Sequence, residues 1–247
     1  MKILEHVHLV GSGKMGFDWT DPADCNVYLL NGGSELALVD AGTGLSAAQI
    51  VENIKAEGFP PRRITHILLT HLHADHAGGA AGLREMTGAA VAAHHEARDV
   101  LETADEAAID LTQARAHGFY PPDYVFRACP LDRSLQDGET FEVGSLHVRV
   151  RLLPGHSRFD TFYFVADGTG HVSLFSGDSV FFDGKISMLN THDFSLHALA
   201  RCAEQLSKER VDSLFPGHLQ PALCNGSQHV EKAFRIFDSL RVPPSIV

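Results

Sequence analysis

Only four of the 247 residues are cysteine (Cys25, Cys129, Cys202 and Cys224), and no two stand in a CxxC pair. That is too sparse for the disulfide framework of a small secreted domain, so the thiols read as reduced and structural. No apolar run approaches the roughly 18 residues that span a bilayer. The opening residues Met1-Lys2-Ile3-Leu4-Glu5-His6 lack the apolar core of a cleavable signal. A cytoplasmic protein with no membrane partner is therefore expected. Positive charge is scarce too: 20 Lys+Arg against 31 Asp+Glu leave a formal charge of −11, which argues against nucleic acid as the main ligand. Low-complexity tracts and 20–50-residue repeats are absent, which removes tails and solenoids from consideration. What remains is an ordinary globule, 44% hydrophobic and 21% charged, read as one domain over residues 1–247.

Strand and helix signals occur in two similar blocks. The first has short apolar strands at 3–9, 27–30 and 36–39, the last two joined by the hairpin turn Asn31-Gly32-Gly33. A helix follows at 45–57, stopped by Gly58-Phe59-Pro60-Pro61; then come a strand at 64–69, a helix at 77–86 and a strand at 89–93. The second block has strands at 140–143, 146–153, 161–165, 172–176 and 211–215, with helices at 196–207 and 228–240. Between the blocks, residues 96–118 are acidic, Ala-rich and helical in pattern, and Phe119-Tyr120-Pro121-Pro122-Asp123-Tyr124 closes them. Residues 96–124 are thus a helical excursion between two α+β halves, expected to pack sheet against sheet with helices outside.

What the chain has in excess is histidine, 16 copies. Four apolar segments run straight into metal-type residues. Ile67-Leu68-Leu69-Thr70 leads into His71-Leu72-His73-Ala74-Asp75-His76; Leu152-Leu153-Pro154-Gly155 into His156; Leu174-Phe175-Ser176-Gly177 into Asp178; and Leu214-Phe215-Pro216-Gly217 into His218. Side chains on strand ends of a rigid sheet can be aimed at one point. A chance HxHxDH match in this composition is expected on the order of 0.005 times, so the segment counts as a motif. Imidazole and carboxylate suit Zn²⁺, Fe and Mn²⁺. Four such side chains so close in sequence fit two neighbouring ions better than one. Apart from His192, on the loop after Asp178, the remaining histidines carry no chemistry in this reading. His6, His8, His147 and His171 are placed in strands, His66 in packing, His94-His95 at a helix start, and His117, His197 and His229 on or near helices.

In these residues the chain resembles the metallo-β-lactamase superfamily. The motifs fall in family order: Asp40 in Val39-Asp40-Ala41-Gly42, then the segment from Thr70 to His76, Pro154-Gly155-His156, Gly177-Asp178 and Pro216-Gly217-His218. The resemblance implies a four-layer αββα sandwich with metals at the sheet edges. It assigns His71, His73 and His156 to a first metal and Asp75, His76 and His218 to a second, with Asp178 bridging both. Asp40 would brace the ligand loops without ligating. Two divalent ions are implied, zinc first, with iron or manganese as alternatives.

Several branches of the family fit less well. Flavodiiron oxidases carry Glu where this chain has His73, and class B1 and B2 lactamases carry Cys where it has Asp178. The glycine-cysteine-glycine stretch of glyoxalase II enzymes is replaced here by Ser179-Val180-Phe181. Quorum-quenching lactonases place Tyr at Phe181, and after His156 the usual Thr-x-Gly is replaced by Ser157-Arg158-Phe159-Asp160. The implied activity is dinuclear, metal-dependent hydrolysis of a small ester, thioester, lactone or amide, with a bridging hydroxide as nucleophile and Asp75 orienting it. The alternative is a mononuclear iron oxidoreductase similar to persulfide dioxygenases. Tyr120, Phe181 and His192 are candidate pocket residues. The excursion, with Phe119, Tyr120, Tyr124 and Phe126 at its end, is expected to be a lid or pocket wall, or else a packing or dimer surface.

Overall fold

A computed structural model describes residues 1–247. The first sheet contains β1 (Val7–Gly11), β2 (Val27–Asn31), β3 (Leu36–Val39), β4 (Ile64–Leu68), β5 (Ala90–His94) and β6 (Arg133–Leu135), in that spatial order. Its first three strands are antiparallel and the rest join in parallel. The second contains β7 (Thr140–Val143), β8 (Leu146–Leu152), β9 (Thr161–Ala166), β10 (Val172–Gly177) and β11 (Ser213–Pro216), antiparallel except for the last pair.

Side-chain alternation builds the layers. Along β2, Val27 and Leu29 face outward and pack under the helices α1 (Ala47–Ala56) and α3 (Ala80–Thr87), while Tyr28 and Leu30 face the second sheet. Along β10, Phe175 enters that same inter-sheet core with Phe215. Leu174 turns the other way, toward Cys202 of α6 (Leu196–Leu206) and Val230 of α7 (Gly226–Asp238). Because both faces of these strands are covered, their sequences read as near-continuous apolar runs. The expected αββα sandwich is the architecture found.

Several local expectations change. The first strand starts at Val7 rather than residue 3, because the Ile3 and Leu4 N–H groups both turn back to donate to the Val7 carbonyl. His6 accordingly lies at a bend and His171 lies just before β10, neither within a strand. The helix expected at 77–86 begins earlier, as α2 (Ala74–Ala77), and restarts as α3 after Gly78-Gly79. A Cβ at Gly79 would sit 2.0 Å from the Ala41 carbonyl oxygen, so the loop after β3 presses against the chain at this break. The strand β6 carries no alternation long enough to announce it. The excursion is built of short helical pieces, α4 (Arg98–Thr103), a 3₁₀ turn at Ala107–Ile109 and α5 (Leu111–Ala116). It lies between β5 and β6 of the first sheet rather than between the halves, because β6 returns to pair with β5. Ala104 and Asp110 take positive φ, and the Asp105 carboxylate accepts the Ala107 and Ala108 N–H groups, starting a new turn where a helix would continue.

Candidate metal centre and its cavity

The turns after β4, β8, β10 and β11 converge at one edge of the sandwich. There His71, His73 and His156 form one set of donors, and Asp75, His76 and His218 form another. His73 Nδ1 lies 3.0 Å from His71 Nε2 and 3.0 Å from His156 Nε2. Donors about 2.0–2.1 Å from a tetrahedral ion are themselves roughly 3.3 Å apart, so this spacing suits three ligands on one ion. In the other set, His218 Nε2 is 3.0 Å and His76 Nε2 3.5 Å from Asp75 Oδ2. Asp178 reaches both sets: its Oδ1 is 3.3 Å from His76 Nε2, and its Oδ2 is 3.4 Å from His218 Nε2 and 3.9 Å from His156 Nε2.

Two atoms test whether these residues fit a metal. His76 Nε2 and Asp178 Oδ1 are buried, face each other and have no hydrogen-bond partner. Leaving such groups unpaired is costly, and a cation between the sets would satisfy both. The backbone also leaves room: a Cβ at Gly217 would come within 2.4 Å of Asp178 Oδ1 and 2.5 Å of His76 Cε1. The donor set fits divalent metal ions.

Electrostatics divide the two sets. Burial pushes the imidazoles of His71, His73 and His156 below their ordinary value, His156 to about 4, so they are neutral with free lone pairs. Burial opposes charge on His218 as well, yet Asp178 and Asp75 lift it to about 9. Burial would raise the Asp178 carboxyl, and His218 and His76 instead hold it well below the carboxylate range. Two carboxylates thus demand positive charge between them.

Two of the imidazoles are oriented from behind. Asp40 Oδ2 accepts the His76 Nδ1–H at 2.8 Å, and its Oδ1 accepts the Thr70 N–H at 2.8 Å, fixing the start of the motif. His156 Nδ1–H points to the Ser187 carbonyl at 3.4 Å. Sequence reasoning missed three supports. Asp160 accepts the His156 and Ser157 N–H groups and the Ser179 hydroxyl. The Asn26 amide and Tyr28 hydroxyl bond the Pro216 carbonyl before His218. Cys25 lies beside Asp40 and His76. An acid four residues after His156 was the one signal available for any of them.

Above the donors opens a cavity of about 380 Å³. His73, Asp75, Asp178 and His218 form its floor. Its walls are mostly apolar and include Ile109, Phe119 and Tyr120 from the excursion, Met188 and Leu189 after β10, and Ile246. No lysine or arginine lines it. Among the expected pocket residues, Tyr120 lines the cavity and the other two do not. Phe181 is fully buried away from it, because the chain turns back there through the Phe181 N–H to Lys185 carbonyl bond. His192 points outward, its Nδ1 bonded to Asp110 at 2.7 Å. Of the excursion's aromatics, Tyr124 and Phe126 are buried in the outer core of the first sheet, and only Phe119 and Tyr120 face the cavity.

Residues 20–218 match the metallo-beta-lactamase superfamily over most of the chain. The chain belongs to this superfamily. It is 27% identical over 208 residues to the acyl-coenzyme A thioesterase MBLAC2 of Gallus gallus, a match covering 78% of this chain and 72% of that protein. It is 31% identical over 160 residues to the hydroxyacylglutathione hydrolase of Methylococcus capsulatus, covering 64% of this chain and 48% of that one. In structure it resembles BJP-1, a subclass B3 metallo-beta-lactamase of Bradyrhizobium japonicum, with a TM-score of 0.73 at 21% identity over 97% of this chain and 91% of that one. These superfamily relatives are hydrolases acting on small molecules, which supports a metal-dependent hydrolase here. No helix is long and apolar enough to cross a membrane.

Proposed function

We propose that the protein is a dinuclear metal-dependent hydrolase that cleaves a carboxylic thioester or ester with an apolar acyl group. The observation that carries this reading is the convergence of two complete donor sets, with Asp178 reaching both, on the floor of an apolar cavity. His71, His73 and His156 would hold one ion, Asp75, His76 and His218 the other, and Asp178 would belong to both. Zinc suits the nitrogen-rich first set. Divalent ions in these positions supply Lewis-acid polarisation of a carbonyl and a water ionised near neutral pH.

The protein's own residues supply the rest. Asp75 Oδ2 faces the donors, where it can orient the attacking water and pass its proton to the leaving atom. Phe119, Ile109 and Leu189 bury the acyl chain and keep bulk water from that side. With no cation in the wall, selectivity falls on the acyl group rather than on a phosphorylated carrier. The names of the thioesterase and hydroxyacylglutathione hydrolase relatives support the choice of a thioester.

The test is metal analysis of freshly purified protein, followed by a series of thioesters of one small thiol with lengthening acyl chains. Two metal equivalents per chain, and kcat/KM rising with chain length until the cavity is filled, are expected. One iron per chain with oxygen consumption on a persulfide would overturn the reading.

A further inference from the structure

The excursion reaches the floor of the cavity as well as its wall. The Tyr120 hydroxyl donates to Asp75 Oδ1 at 2.8 Å and accepts the Asp75 backbone N–H at 3.2 Å, so one phenol holds both ends of this residue. Asp75 has two carboxylate oxygens; Oδ2 faces the donors, and the other is taken by Tyr120. Tyr124 stacks on Tyr120 with ring centroids 5.2 Å apart, and its own hydroxyl donates to the Thr43 carbonyl at 2.8 Å, with the Ala74 carbonyl at 3.4 Å. A Cβ at Gly78 would lie 2.0 Å from that Tyr124 hydroxyl, so the glycine lets the phenol in against the turn.

We propose that Tyr120 is a positioning residue for Asp75: its hydroxyl fixes which carboxylate oxygen faces the second donor set, and so sets that set's affinity for its ion. The excursion then does more than shape a substrate pocket, because it completes the support of a ligand 45 residues earlier in the chain. Asp40 gives His76 the same kind of support, but directly from the strand end of β3; here it comes from the long connection between β5 and β6 of the same sheet. This inference rests on the dinuclear reading above.

The test is a titration of chelator-stripped protein with Co²⁺, read by its visible absorption and by competition with a chromophoric chelator. Tyr120→Phe keeps the ring in the wall and its stacking on Tyr124, removing only the hydroxyl. It should weaken the second equivalent by about 10-fold or more while leaving the first unchanged, the scale usual for residues that orient a ligand. Tyr124→Phe, which loses bonds to backbone carbonyls only, should leave both equivalents within about twofold. Equal loss in the two variants, or a second equivalent unchanged in Tyr120→Phe with only KM altered, would overturn the positioning role while leaving two metals in place. A wild-type protein that takes up a single equivalent would overturn this role and the dinuclear reading together.

Discussion

The floor and the walls of the cavity are built in opposite ways. Every metal donor follows a strand end or sits in the turn just after one, with the His76 ring held by Asp40, the His156 ring by the Ser187 carbonyl and the His156 backbone by Asp160. The walls come from an excursion with two positive-φ breaks, a loop after β10, and Ile246, whose N–H pairs with the Ile186 carbonyl at 2.9 Å. A sheet whose strands are paired over most of their length cannot shift one ligand without disturbing its neighbours. Apart from Tyr120, which holds Asp75, a wall of short pieces can exchange side chains at little cost to the floor. The chemistry is accordingly placed on the rigid element and the selectivity on the variable one.

The sharpest way to break this contrast is to remove metal donors singly. His156→Ala should lose one metal equivalent, and turnover should fall by more than about 100-fold, beyond the usual cost of losing a residue that merely orients a ligand. Asp178→Ala should weaken both equivalents, whereas His218→Ala should weaken one. Metal stoichiometry and far-ultraviolet circular dichroism together check that the ions leave and the sandwich stays. If Asp178→Ala and His218→Ala lose the same single ion, Asp178 does not serve both sets.

A wall residue should behave differently. Phe119 is 55% exposed, so Phe119→Ala removes only part of an aromatic contact, and kcat/KM for long-chain thioesters should fall by about 3- to 10-fold. The loss should appear in KM, shrink for short acyl chains and leave both metals bound. An unchanged preference for acyl length would remove Phe119 from the selective wall.

The smallest effect concerns a histidine buried outside the floor. His94 is capped onto the Glu96 N–H at 3.1 Å and packs on Phe159; burial, then the neighbouring His95, push it down to about 4. Its folded value lies below the unfolded one, so the unfolded chain binds the proton first. Stability from this residue is present above about pH 6.5 and is lost as pH falls toward about 4. His94→Asn keeps a capping side chain, and its denaturation midpoint should fall less over that window than the wild type's. An identical pH slope would show that His94 contributes nothing to it.

Most of the site was legible because its parts are local. Each ligand follows an apolar strand, and three of the donors His71, His73, Asp75 and His76 are separated from the next by no more than one residue. Tyr120 was legible as an aromatic near the site, but its bond to Asp75 was not, since nothing in spacing tells an aromatic that reaches a carboxylate from one that packs, as Phe126 does. Phe181 failed for the related reason that position relative to Asp178 gives proximity without direction. The helical pattern of residues 96–118 gave no sign of its breaks, because an Ala-rich composition reports propensity while the Asp105 side chain competes for the same N–H groups.

By itself the sequence determined most of the strand runs, their order, the donors that follow them and hence the superfamily and its layered sandwich. Hydrophobic alternation and ligand chemistry are properties of neighbouring residues, and they survive in a linear reading. Only the tertiary structure decided which nitrogen of each imidazole faces its partners, that Asp178 touches both sets, and that the wall is drawn from Ile109, Leu189 and Ile246 together. Those facts depend on rotamers and on contacts between segments far apart in the chain. They are fixed when the two sheets close on their shared core, with Tyr28 packed against Phe175 and Phe215 at its centre.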